Sequence, residues 1–265
     1  MDAESRATAA DLLLDAYRTR KPIDPLTELY PGIGFDDSYE IQVLQIAQRL
    51  RAGATVKGHK VGLTSMAMQR QMGVDQPDYG HLLSDMFYLE NVAIPADTFL
   101  QPRVEPEVAF VLKRPLSGPG VTIAQAIAAV DFVLPSLELI DSRIRDWKIG
   151  ILDTIADNAS SGGVVLGSTP VPLEAVDLRR SGCVLHRNGE VVGTGAGGAV
   201  LGSPLNSLVW LANTLGVRGV TLEAGHVILP GSITASMAVG PGDTCTATFA
   251  GIGSVTARFA KESSR

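Results

Sequence analysis

The segment Arg103-Val104-Glu105-Pro106-Glu107-Val108-Ala109-Phe110-Val111-Leu112 sets two carboxylates two residues apart in an otherwise apolar run. Side chains alternate along a strand, so Glu105 and Glu107 share one face and lie a few ångströms apart. Two ionised carboxylates so placed repel, and burial penalises both unless something compensates. A third, Glu138, sits in Phe132-Val133-Leu134-Pro135-Ser136-Leu137-Glu138-Leu139-Ile140, again among apolar neighbours. One divalent cation would resolve all three. Oxygen-only ligands suit a hard ion such as Mg²⁺ or Mn²⁺, and three carboxylates leave positions open for water or substrate. The competing reading of the same residues is the solvated face of an edge strand, with which Pro106 is consistent.

Other groups carry weaker signals. Lys60, in Gly58-His59-Lys60-Val61-Gly62-Leu63, lies on a strand-like run that ends in glycine and Thr64-Ser65. Most strand lysines point to water; one beside a metal-bound anion would stabilise developing charge or move protons. Two polar stretches, Asp141 to Trp147 and Asp157 to Gly162, follow the Glu138 run. Turn chemistry accounts for both, and loops after a metal-bearing strand are also where binding groups collect. His59, His81, His186 and His226 form no HxH or HxxxH pair, which argues against the usual zinc sites. Cys183 and Cys245 sit in apolar runs and read as buried inert thiols. Gly193-Thr194-Gly195-Ala196-Gly197-Gly198 matches GxGxxG, but a dinucleotide fingerprint opens a helix directly after a strand. Here the next helix starts later, at Ser203-Pro204, so a nucleotide-binding oxidoreductase is a weak alternative and a glycine-rich bend the better reading.

These residues need elements to hold them. Residues 1–55 read as a helical N-terminal arm, with one helix through Leu12, Leu13, Ala16 and Tyr17. A second has Asp37 as N-cap and Glu40 closing a capping box, then runs through Ile41, Val43, Leu44, Ala47 and Leu50 to a stop at Gly53. From residue 56 to 262 the texture is β-rich. Strands are expected at Val56–Leu63, Arg103–Leu112, Val130–Ile140, Gly163–Leu166, Cys183–Arg187, Glu190–Val192, His226–Leu229, Thr244–Phe249 and Gly253–Phe259. Asn188-Gly189 predicts a type I′ hairpin turn. Helices are expected over Thr122–Ala129 and from Pro204 to Gly216, capped by Ser203.

Composition bounds the partners. The chain has 265 residues, 45% hydrophobic and 19% charged, so it can bury a large core. A net charge of −6 argues against nucleic acid, and no apolar run is long enough to span a bilayer. The first residues show no secretory pattern and two cysteines make no disulfide framework, so a cytoplasmic location is expected.

Five spaced segments then point one way. They are Gly58–Ser65, Gln76-Pro77-Asp78-Tyr79-Gly80, Arg103–Glu107, Leu137–Arg143 and Asp157-Asn158-Ala159-Ser160. Together they resemble the 2-oxopent-4-enoate (2-hydroxypenta-2,4-dienoate) hydratases and 4-oxalocrotonate decarboxylases of the fumarylacetoacetate hydrolase superfamily. The resemblance covers nearly the whole chain. It implies an α+β fold, a mixed β-roll with a helical N-terminal arm. It implies that Glu105, Glu107 and Glu138 bind Mg²⁺ or Mn²⁺, and that Lys60 and Asp78 serve catalysis. It sets Leu63, Thr64, Ser65, Arg143, Ser160 and Ser161 on the substrate side. The implied activity is hydration of a 2-hydroxy-2,4-dienoate by a cytoplasmic homo-oligomer of meta-cleavage catabolism, in possible complex with other enzymes of that route. Decarboxylation of 4-oxalocrotonate is the alternative. It needs a cationic or amide partner for a second carboxylate, and no extra basic residue stands out near the motifs.

Overall fold

The computed structural model of the chain describes residues 1–261 apart from 67–68, 71–72 and 96. Residue 262, the expected end of the β-rich unit, lies outside the described residues. Three helices come first: α1 (Ala3–Thr19), α2 (Leu26–Leu29) and α3 (Phe35–Arg51). Asp2 caps α1 by accepting from the Ser5 backbone N–H at 2.7 Å. The capping box of α3 is displaced from the one expected. Its N-cap is Gly34, and Asp37 is the third helical residue, reaching back to the Gly34 N–H at 3.1 Å. The same carboxylate pairs with the Met1 ammonium at 3.0 Å and Arg6 at 3.1 Å, which ties α1 to α3. Glu40 is left exposed. Leu13, Leu26 and Ile41 bury against Ile144 and Ala156, so the arm packs on the segments that follow Glu138.

The strands are β1 (Val56–Gly62), β2 (Asp78–Leu83), β3 (Phe87–Leu89), β4 (Ala93–Ile94), β5 (Arg103–Leu112), β6 (Val130–Ile140) and β7 (Ser161–Leu166). Then come β8 (Gly182–Arg187), β9 (Glu190–Ala196), β10 (Val227–Leu229), β11 (Met237–Ala238), β12 (Thr244–Phe249) and β13 (Gly253–Phe259). Helices α4 (Ile123–Ala129), α5 (Ile151–Ala156) and α6 (Pro204–Val217) interrupt them. The fold is α+β, a mixed β-roll. An eight-stranded sheet runs β2-β1-β10-β5-β6-β7-β3 with β11 also paired to β5; a five-stranded sheet runs β4-β13-β12-β8-β9.

Alternation divides the large sheet's two faces. Val104, Val108, Phe110, Leu137 and Leu139 point to one side and join Leu185, Ala247, Phe249 and Val255 of the small sheet and Leu208 and Leu211 of α6. This is the main core. Glu105 and Glu107 point to the opposite, inner face, along with Ala109 and Val111. Farther along, that inner face is closed by Leu82, Ala109, Leu134, Val164 and Leu229. Asn188 and Gly189 take φ of 53° and 88°, the positive values a type I′ turn requires. Gly193–Ala196 belongs to edge strand β9, and only a single 3₁₀ turn, Gly197–Ala199, follows it before the α-helix that starts at Pro204. A Cβ at Gly195 would sit 2.2 Å from the Ile233 carbonyl, and one at Gly197 would sit 1.8 Å from that of Leu178. Close backbone packing explains these glycines.

Candidate active site

Strands β5 and β6 pair antiparallel with Glu105 opposite Glu138 and Glu107 opposite Ser136. One carboxylate oxygen from each of Glu105, Glu107 and Glu138 lies within 4.8 Å of the others. Glu107 and Glu138 are fully buried, and Glu105 is half-buried at the cavity side. Because β5 is hydrogen-bonded between β10 and β6, the edge-strand reading fails. Pro106 sits in this central strand and accepts from the Ile233 N–H at 3.0 Å.

Glu107 Oε2 accepts from the Gly231 N–H at 2.7 Å. Glu107 Oε1 and Glu138 Oε2 have no hydrogen-bond partner among the described residues, and Glu138 Oε1 faces Lys60 Nζ at 3.2 Å. Buried carboxylate oxygens without donors cost free energy, and a hard divalent cation satisfies them together. The donor set therefore fits Mg²⁺ or Mn²⁺. Burial raises the Glu105 carboxyl to about 7, helped by the Glu138 charge. Burial pushes Glu107 and Glu138 up as well. For Lys60, burial alone would lower the ammonium, but the carboxylates of Glu138, Asp78, Glu105 and Glu107 outweigh it and raise it.

Lys60 is positioned by β1, whose antiparallel register with β2 sets Lys60 opposite Gly80 and Gly62 opposite Asp78. A side chain at Gly62 would put Cβ 2.2 Å from Asp78 Oδ1, so glycine there admits the carboxylate to the Lys60 side. Asp78 is buried, and burial raises its carboxyl against the opposing pull of Lys60 and the Thr154 hydroxyl. Lys60, Asp78 and Glu105 open onto one cavity of about 430 Å³. That volume suits a small organic acid.

The remaining expected site residues divide. Leu63, with φ of 54°, and Ser160 line the cavity. Thr64 is buried beside it, packed under Gly231, and Ser65 is half-buried outside the lining. Arg143 is not brought to the cavity. It is fully buried, ion-paired with Asp157, donates to the carbonyls of Asp157 at 2.7 Å and Ser161 at 3.0 Å, and lies 4.2 Å over the Tyr17 ring. Its donors hold the loop that carries Ser160. Ser161 is buried behind that loop, its carbonyl taken by Arg143. Arg103, Trp147 and Thr154 also line the cavity, and none was among the expected site residues. Arg103 corrects the expectation that no further basic residue lies near the motifs. The signal was its spacing: Arg103, Glu105 and Glu107 alternate onto one face.

A sequence profile described as the fumarylacetoacetate (FAA) hydrolase C-terminal family matches residues 57–260. The chain belongs to the fumarylacetoacetate hydrolase family. Within the family it is 46% identical over 259 residues to a 2-keto-4-pentenoate hydratase of Paraburkholderia xenovorans, covering 98% of this chain and 96% of that one. It is 42% identical over 259 residues to a 4-oxalocrotonate decarboxylase of Pseudomonas putida, covering 98% of each. A structure of the 4-oxalocrotonate decarboxylase of Pseudomonas putida G7, complexed with magnesium and adipate, superposes with a TM-score of 0.93 at 41% identity over 98% of both chains.

Proposed function

We propose that this member of the family is a metal-dependent hydratase. It adds water to a 2-hydroxy-2,4-dienoate, through the 2-oxo tautomer, to give a 4-hydroxy-2-oxo acid in meta-cleavage catabolism of aromatic or sterol rings. The observation that carries the reading is the carboxylate trio Glu105, Glu107 and Glu138, whose Glu105 lines one cavity with Lys60 and Asp78. The family's hydratases supply the reaction class.

Held by the trio, Mg²⁺ or Mn²⁺ would supply Lewis acidity toward the substrate's carboxylate and 2-oxygen. The protein's own groups do the rest. Ketonisation removes the enol proton and delivers one to C5, giving a conjugated 2-oxo-3-enoate. Lys60, a buried cation, is the donor group facing the acid. Water then bonds to C4 while a proton reaches C3, and Asp78 is the carboxylate placed to take the water's proton. Net, one water is added and no redox partner is needed.

The second reading is 4-oxalocrotonate decarboxylation, favoured by the cation Arg103 at the cavity. One spectrophotometric assay separates them. Fresh 2-hydroxypenta-2,4-dienoate or 2-hydroxyhexa-2,4-dienoate should lose its dienol absorbance with enzyme and Mg²⁺ or Mn²⁺. Stable absorbance for both, with turnover of 4-oxalocrotonate, replaces hydratase by decarboxylase. The enzyme is further read as a cytoplasmic homo-oligomer; light scattering at a single protomer mass would remove the oligomer. Among the described residues no helix is long and apolar enough to cross a membrane.

A further inference from the structure

We propose that Arg103 anchors the C1 carboxylate of the substrate, so that the acid lies along the inner face of β5 with its reacting carbons toward Lys60 and Asp78. This rests on the reading of the site as one for 2-oxo and 2-hydroxy acids.

Register fixes the order of groups. On β5 the inner face runs Arg103, Glu105, Glu107, Ala109, with Arg103 between Ile140 of β6 and Ala238 of β11. Lys60 pairs with Leu229 of β10, and Ile228 of β10 pairs with Phe110 of β5. The Lys60 backbone therefore lies at the Ala109 end, its Nζ reaching back to Glu138 opposite Glu105, and Arg103 lies at the other end of the row. A dienoate whose carboxylate and 2-oxygen faced a cation that the trio would hold has two unlike ends. Its C4 and C5 must reach the proton-moving groups. The carboxylate is then turned toward Arg103.

Arg103 is built to receive it. Its guanidinium lies 4.6 Å over the Trp147 ring. Stacking on an aromatic face leaves the in-plane N–H fork free, and that fork matches a carboxylate. Among the described residues no carboxylate lies within 4.0 Å of it, whereas Lys60 is already paired with Glu138. Asp146 shares the cavity wall but stays beyond that distance. The platform is fixed: Trp147 Nε1 donates to the Gln101 carbonyl at 3.0 Å, and the Asp146 N–H donates to Gln101 Oε1 at 2.9 Å. Beyond the stack a second cavity of about 440 Å³ also touches Arg103 and Trp147. If that space took the tail of a longer substrate, Arg103 would read a tail carboxylate instead, and the experiment must tell the two apart.

Calorimetric titration of the Mg²⁺-loaded protein with 2-oxopentanoate tests the assignment. R103A should raise Kd by about tenfold or more, the usual effect of truncating one partner of a charge pair. Mg²⁺ affinity, titrated separately, should stay within about twofold, and 2-oxopentanamide, which lacks the anion, should bind the two proteins alike. R103Q should reproduce the loss and R103K should recover part of it, which covers a failure of R103A to fold. Unchanged affinity for 2-oxopentanoate in R103A and R103Q overturns the proposal. So does a loss confined to 2-oxoheptanedioate, which assigns Arg103 to the tail. Wild-type protein that binds 2-oxopentanoate through Arg103 yet leaves the dienol absorbance unchanged refutes the hydratase reading alone.

Discussion

Lys60 sits where charge decides its role. Its ammonium is buried, 3.2 Å from Glu138 Oε1, and shares a cavity with Asp78. On the proposed mechanism, removing it takes away the proton donor and leaves all three carboxylates of the trio in place. Lys60→Ala should lower kcat by about 10²–10⁴-fold, the range of general acid–base contributions, while Mn²⁺ still binds in calorimetry. Wild-type turnover in that variant would remove Lys60 from the mechanism. Glu107 is the converse case. It offers one orphan oxygen to the cluster and gives the other to Gly231. Glu107→Gln should weaken Mn²⁺ binding by about 100-fold or more, beyond the loss typical of outer-shell changes. An unchanged calorimetric isotherm would contradict its place as a ligand.

At the scale of elements, the loop between α5 and β7 depends on one buried ion pair. Arg143 and Asp157 are both fully buried, and each also binds backbone. Truncating one partner strands the other's charge, at about 3–5 kcal/mol. Arg143→Met should lower the urea-unfolding free energy by about that amount; a change under about 1 kcal/mol would show the pair to be dispensable. This residue also shows where sequence reading stopped. Its position just after the Glu138 strand was legible, but its burial under Tyr17 depends on contacts far apart in sequence. Strands β5, β6, β12 and β13 were legible to the residue because alternation or an apolar run is bounded by turn residues. Strand β2 was not. Asp78-Tyr79-Gly80-His81 alternates weakly, and its pairing with β1 supplies what the local pattern lacks. The cluster of three glutamates was readable from spacing. The partner of Lys60 was not, since strand order alone brings β1 to Glu138.

For the whole molecule, acid is the revealing stress. On the face of β1 away from Lys60, the His59 ring lies 4.9 Å from that of His81 and 5.9 Å from that of His226. Neither ring nitrogen of His59 has a partner among the described residues. Burial pushes His59 well below its ordinary value and His81 down to about 4. Unfolded, His81 titrates near 6.5, so between those values the unfolded chain takes up a proton that the folded one refuses. Its contribution is intact above the unfolded value and drains away as pH falls toward the folded one. Between about pH 7 and about pH 5, wild type should lose about 2 kcal/mol more stability than His81→Gln. Parallel curves for the two proteins would show that His81 does not titrate in this way.

The turn that bears Ser160 has a bearing on how the enzyme opens and closes. Asn158, Ala159 and Ser160 take φ of 53°, 50° and 53°, three successive left-handed residues without a glycine. Such a run does not persist unaided, since each residue forfeits roughly 1–2 kcal/mol. Asn158 is clamped to both backbone groups of His81, and the Ser160 carbonyl receives the Asp141 N–H at 2.8 Å. This rim is thus rigid before any ligand arrives. Amide hydrogen exchange at Asn158 through Ser161 should be slow in the metal-free protein and stay unaltered on adding Mg²⁺ and 2-oxopentanoate; rapid exchange that slows on binding would mark the rim as an induced lid.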